Sequence, residues 1–279
     1  MKQLHSRKWY AVIASVVFLI AVNLHDFLRL IGLRRIFQWY VVNGLANLLQ
    51  IAICFFGISL AHHVGLRAAW RELGLRVPVK RAFVFSFIAA LPMLLAFALT
   101  SNLNRKMSAA SVLVGCFIAP FAEEVLFRGY MFRQLYRRAR LGFWIAALVP
   151  SVLFALVHVY QAESVGELIG ILAVTGIGSI IGCWIFMKWQ DNLWAIFGLH
   201  GLMNLWWEVF AIDDTALGGW LANVARVLTI MLAVVLTIYK NRIWKPLSIE
   251  AENISQEVES KGYSESGDML RIAKAAFAS

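Results

Sequence analysis

The stretch Ala122-Glu123-Glu124-Val125-Leu126-Phe127-Arg128-Gly129 sets two adjacent carboxylates and an arginine into a strongly apolar part of the chain. A charged side chain near the centre of a bilayer-spanning helix costs about 2.5–3.5 kcal/mol on insertion scales, so such groups are retained for a purpose. On a helix, Glu124 and Arg128 stand four residues apart and share a face, whereas Glu123 is turned about 100° from Glu124. Arg128 is therefore expected to pair with Glu124, which leaves Glu123 as the carboxylate available for chemistry. An ion pair that only locks two helices together is the plainer reading of the same residues.

The surrounding composition says what kind of protein holds this stretch. The 279 residues are 61% hydrophobic and only 15% charged, with 19 Phe and 11 Trp, well outside the range of soluble domains. The expected fold class is all-α, a polytopic membrane helix bundle, with the lipid bilayer as its partner. A net charge of +10 raises the question of nucleic acid. The lysines and arginines are scattered between apolar runs rather than gathered on one soluble face, so no nucleic-acid partner is expected. Cys54, Cys116 and Cys183 lie inside apolar runs without CxxC spacing, and neither a disulfide framework nor a zinc knuckle is supported. Lys2, Arg7 and Lys8 precede the run from Trp9 to Leu24 in the manner of a signal peptide. No small-residue cleavage site follows, and the run is read as an uncleaved first helix.

Spans of about 17–25 mostly apolar residues predict about eight transmembrane helices, near 9–25, 39–60, 82–100, 109–130, 143–160, 167–188, 193–212 and 220–240. Lys and Arg then alternate in density between the connections. One set contains Lys2, Arg7 and Lys8, a group from Arg67 to Arg81, a group from Arg128 to Arg140, Lys188, and finally Lys240, Arg242 and Lys245. The other set contains Arg29, Arg34, Arg35, Arg105 and Lys106 with the acidic connections around Glu163, Glu167, Asp213 and Asp214. Cytoplasmic connections are the basic ones, so both termini are expected in the cytoplasm. Residues 1–245 form the expected membrane domain. Residues 246–279, polar and acidic, form a cytoplasmic tail expected to be mostly disordered, with a short helix near Asp268 to Phe277.

Several polar residues interrupt the apolar runs. Asn43, Asn47 and Gln50 make a stripe on the second span, facing either a water-filled cavity shared with Glu123 or a neighbouring helix. Gly166 with Gly170, and Gly178 with Gly182, have the small-xxx-small spacing of close helix packing. His62 and His63 fall at a helix end, where an interfacial role is expected. His158 follows Phe154 by four residues and Asn204 follows His200 by four, so each pair shares a helix face. Taken singly, either histidine reads equally well as a satisfied core residue. Together with the glutamates they assemble a base, two imidazoles and an amide donor from three helices, the inventory of a hydrolytic site.

In these residues the chain resembles the CPBP intramembrane proteases, also called the Abi or CAAX-protease self-immunity family, which includes the type II CAAX prenyl endopeptidases. The family pattern EExxxR, FxxxH and HxxxN is met by Glu123, Glu124 and Arg128, by Phe154 and His158, and by His200 and Asn204. The resemblance covers about Gly74 to Asn204 if Leu73-Gly74-Leu75-Arg76 is counted with it. It implies an endopeptidase that cuts a membrane-anchored or hydrophobic peptide substrate in a cavity open to the cytoplasmic side. It implies that Glu123 and His158 activate water, that His200 and Asn204 stabilise the oxyanion, and that Glu124, Arg128 and Phe154 support the site. The family has been described both as metal-dependent and as glutamate-type. No cofactor is favoured, and zinc on Glu123, His158 and His200 is the alternative. An ion- or proton-coupled transporter, or a non-catalytic immunity or scaffold protein, would use the same intramembrane groups differently.

Overall fold

The computed structural model describes residues 2–213 and 215–244, so the expected tail at 246–279 lies outside the described residues. Among the described residues every regular element is helical, with a single antiparallel bridge between Leu103 and Phe210. We number the long helices α1 (Lys2–Val22), α2 (Trp39–His62), α3 (Val79–Thr100), α4 (Ala109–Arg138), α5 (Phe143–Leu156), α6 (Val165–Lys188), α7 (Leu193–Val209) and α8 (Trp220–Ile238). Helices prevail because lipid offers the backbone no hydrogen-bond partners, so each span must satisfy its own.

Six spans among the described residues are long and apolar enough to cross a membrane. Arg7–Val22 and the short helix Leu24–Leu30, bent by 40°, make a seventh if taken as one. The remaining expected segment is α7, which at 17 residues is shorter than those six. The chain is thus a multi-pass membrane protein, and large apolar side chains such as Leu60, Leu99, Trp144 and Trp220 face outward. Small residues allow α7 to approach α3 closely. The Ser86 hydroxyl donates to Ala195 O at 2.9 Å, and a Cβ on Gly198 would meet the Ser86 oxygen at 2.6 Å. Residues up to Val234 form one compact unit. Beyond them the end of α8 and the short helix Lys240–Ile243 follow, with Arg242 over the Tyr239 ring at 5.6 Å.

One expected span is lengthened, and another keeps its bounds, Phe143–Gln161, but changes its winding near the end. α4 runs to Arg138 rather than ending near residue 130, and much of it, at Val112–Ile118, Val125–Phe132 and Gln134–Arg138, is wound in wide π turns. α5 ends as an α-helix at Leu156, and a 3-10 turn, Val159–Gln161, follows. His158 therefore sits just past the helix cap, Val157, at the start of that turn.

Consecutive spans reverse direction, so their connections gather at two faces. At one face the connections around 101–108 and 210–219 join, through Asn104 N–H to Val209 O and Ala211 N–H to Asn102 O, both 2.8 Å. At the other, the connections around 63–78 and 189–192 meet the end of α4. Leu193 N–H reaches Gly74 O at 3.0 Å, and the Trp194 indole donates to Leu75 O at 3.0 Å. Arg133 and Arg138 engage the Glu72 carboxylate at 3.2 and 2.7 Å, and Arg133 also donates to Glu72 O. Arg133 and Arg137 grip Asp191, each at 3.0 Å. Gly74 has a φ of +76°, and a Cβ there would lie 2.1 Å from Asp191 O, so only glycine fits this clasp. The start of the chain is on this face too, since Tyr10 stacks on His62 at 5.0 Å and His62 pairs with the Gln134 amide oxygen at 2.8 Å.

Candidate active site

A cavity of about 1150 Å³ occupies the middle of the bundle and the half away from the clasp. Glu123, Glu124, His158, His200 and Asn204 all line it. The two glutamates differ as their positions on the helix require. Glu124 is sealed, with 1% of its side chain accessible, while Glu123 keeps 29%. Glu124 Oε1 accepts from Arg128 Nη1 at 3.1 Å, the i to i+4 pair that the spacing indicates. The same oxygen faces His200 Nδ1 at 2.8 Å. With Glu124 ionised opposite Arg128 it can only accept, so Nδ1 carries the proton and Nε2 is turned the other way. There His200 Nε2 meets Glu123 Oε2 at 3.8 Å, beyond a direct hydrogen bond but within reach of a bridged one.

His158 is oriented by the same principle with a different partner. Its Nδ1 donates to Phe154 O at 2.6 Å, one of the carbonyls left over where α5 ends, and Nε2 is thereby presented. Phe154 is central to the group. Its ring lies 4.5 Å from the His158 ring at a tilt of 46°, 6.4 Å from that of His200, and carries the Arg128 guanidinium at 4.6 Å from its centroid.

Asn204 is held by a feature of α4. Ala119 N–H bonds back to Val114 O in the wide register, so the next donor, for Gly115 O, would be residue 120. Residue 120 is proline and has no N–H. Asn204 Nδ2 fills the vacancy at 3.1 Å from Gly115 O, which leaves its second N–H for the cavity. Gly201 permits the approach, because a Cβ there would lie 2.9 Å from Cys116 O.

The geometry revises several expectations. Gly182 makes room for a side chain: a Cβ on it would meet Arg128 Nη2 at 3.3 Å, while a Cβ on Gly178 would meet no neighbouring element within 4 Å. Arg128, counted above among the charges that orient the chain, is buried with Glu124 and belongs to neither face. The stripe on α2 does line the cavity, and it also bonds to its neighbours. Gln50 Nε2 donates to Ala21 O at 3.0 Å and lies 3.3 Å from His25 Nδ1, while Arg34 donates to Asn43 Oδ1 at 3.4 Å.

Among the lining residues that escaped the sequence reading are His25, Glu208 and Arg226. Glu208 carried a legible signal, since it continues the four-residue spacing of His200 and Asn204; it accepts from the Ser111 hydroxyl at 2.6 Å. His25 and Arg226 offered no comparable pattern. Among the described residues no group of three His, Cys, Asp or Glu side chains is gathered closely enough to hold a metal ion as the side chains stand.

The comparison with known families now bears on a defined site. Residues 104–206 match the family model described as type II CAAX prenyl endopeptidase Rce1-like. The chain carries an Rce1-like domain. At family level the match supports a membrane peptidase of the CAAX-protease type. No curated protein and no solved structure matches the chain. The Rce1-like segment contains all three motifs. It leaves out 74–103, and with it the Gly74 turn, whose visible part in this fold is the clasp.

Proposed function

We propose that this protein is an intramembrane endopeptidase that hydrolyses a peptide bond of a membrane-anchored or hydrophobic polypeptide by water activated on Glu123. The observation that carries the reading is His200, held by Glu124 through one nitrogen and turned toward Glu123 with the other, in a cavity larger than the roughly 300–1,000 Å³ of small-molecule pockets. Glu123 takes a proton from water while the water oxygen attacks the scissile carbonyl carbon. His158 Nε2 accepts from the same water and aims it. The tetrahedral oxyanion then accepts from the second N–H of Asn204 and from His200 Nε2 when that ring is protonated, as preorganised donors to a developing charge. As the C–N bond breaks, the proton held on Glu123 passes to the leaving amine.

Glu124, Arg128 and Phe154 act as positioning residues, because they touch His200 and His158 rather than the reacting atoms. A transporter would use the same imidazoles and carboxylates, but the one-sided anchoring of both Nδ1 atoms fits a base and donor set better than a relay that must turn over. The test is cleavage of a native substrate by purified Glu123→Gln in detergent or nanodiscs. Gln keeps the shape of Glu and cannot take the proton, so turnover should fall by at least about 10²–10⁴-fold without loss of fold. Near wild-type cleavage would remove Glu123 as the base. Loss of wild-type activity on chelation, restored by zinc, would replace the water-activation scheme with a metal one.

A further inference from the structure

The side of the membrane from which substrate reaches the cavity follows from where the cavity is lined. Asp26, Arg29 and Arg34 contribute from the end of the first span, Tyr160 and Gln161 from the turn after α5, and Leu217 from the connection before α8. All of these belong to one face. No lining residue comes from the connections 63–78, 139–142 or 189–192, where ion pairs close the opposite face.

The two faces also differ in basic residues. The closed face carries Arg67, Arg71, Arg76, Lys80, Arg137 and Arg140, along with Lys8 at the start of α1. The open face has Arg29, Arg34, Arg35, Arg105 and Lys106, and two of these are spent on the cavity itself: Arg29 and Arg34 line it. Orientation follows the count of Lys and Arg in short connections, and acidic partners such as Glu72 and Asp191 contribute little to it. The basic, closed face is therefore the cytoplasmic one.

We infer that the cavity opens to the extracytoplasmic side, so that the peptidase proposed above acts on polypeptide already exposed beyond the membrane: an exported chain, or the outer part of a membrane-anchored protein near its anchor. Cytoplasmic termini and a cytoplasmic cavity cannot both hold in this fold, because α1 starts at the closed face. A carboxyl terminus presented in the cytoplasm lies on the wrong side of the clasp to reach Glu123. The substrate class rests on the peptidase reading, whereas the orientation does not.

Cysteine accessibility separates the two. Tyr160→Cys at the mouth and Arg67→Cys at the closed face are expressed in the full chain and treated with a membrane-impermeant maleimide. Cys54, Cys116 and Cys183 are buried, and the parent chain corrects for any background. In intact cells Tyr160→Cys should be labelled, while Arg67→Cys should be labelled only in inverted vesicles or after permeabilisation. Ala216→Cys and Arg76→Cys repeat the comparison at second exposed positions should either variant fail to accumulate. Labelling of Arg67→Cys and Arg76→Cys in intact cells, with the mouth positions protected, would overturn the inference. That outcome would leave the peptidase reading untouched, just as an active Glu123→Gln would leave the orientation untouched.

Discussion

The clasp and the cavity use the same residue types to opposite ends. At the clasp, Arg133, Arg137 and Arg138 face two carboxylates, Glu72 and Asp191, at 2.7–3.2 Å, with Arg137 still 45% accessible. In the cavity wall, Arg128 and Glu124 are 4% and 1% accessible, and both retain unpaired atoms, Nε of Arg128 and Oε2 of Glu124. Asn47 Nδ2 is likewise unpaired. The matched charges of the clasp range from the covered Asp191 to the half-exposed Arg137 and Arg138, and water competes for the contacts of the exposed ones. Buried groups left short of partners are costly, and a fold retains them where they hold a reacting group in place. Among the charged groups, then, it is the pairing of each ion, rather than charge as such, that separates the clasp from the cavity wall.

Breaking the cavity side of this contrast should have the largest effect. Glu124→Gln strands the buried Arg128 charge, at about 3–5 kcal/mol, and also loses the carboxylate that orients His200. Thermal unfolding in nanodiscs should show a much lower midpoint. The double variant Glu124→Gln, Arg128→Gln should recover part of that stability but none of the cleavage, because His200 Nδ1 still lacks its carboxylate. Recovery of both would make Glu124 a mere partner of Arg128.

The next largest effect is expected at the clasp backbone. Gly74→Ala must place a Cβ 2.1 Å from Asp191 O at a φ of +76°. Backbone strain alone costs about 1–3 kcal/mol, and moving the 189–192 connection adds to it. Destabilisation should be seen with the catalytic rate per folded molecule preserved, and an unchanged midpoint would mean that the clasp does not constrain this turn.

The smallest effect sharpens the contrast from the other direction. Asp191 has a φ of +58°, a conformation that Asn also tolerates, so Asp191→Asn removes charge while keeping the turn. The expected loss is smaller than that of Glu124→Gln, since Arg137 is 45% accessible and Arg133 keeps Glu72 as a partner, and high salt should narrow the difference between variant and parent. A loss as large as that of Glu124→Gln would erase the distinction between the two regions.

What was legible in the chain was what repeats locally. Apolar runs marked the spans because lipid penalises every exposed polar group, and a four-residue spacing placed Glu124 on Arg128 because the helix period does so wherever the helix lies. The span 143–160 was placed well, but α4 was drawn too short, because its last turns, Gln134–Arg138, are polar and basic and are held by Glu72 and Asp191 from segments distant in sequence. By itself the sequence determined a multi-pass helical bundle, its three motifs and the separate fates of Glu123 and Glu124, all consequences of helix geometry and of the bilayer as solvent. The tertiary structure alone decided that His200 stands between both glutamates, that Asn204 repairs the carbonyl orphaned by Pro120, that Gly182 accommodates Arg128, and that the cavity opens away from the start of the chain. These are choices of partner between segments distant in sequence, and they depend on which helices pack together and how closely small residues let them approach.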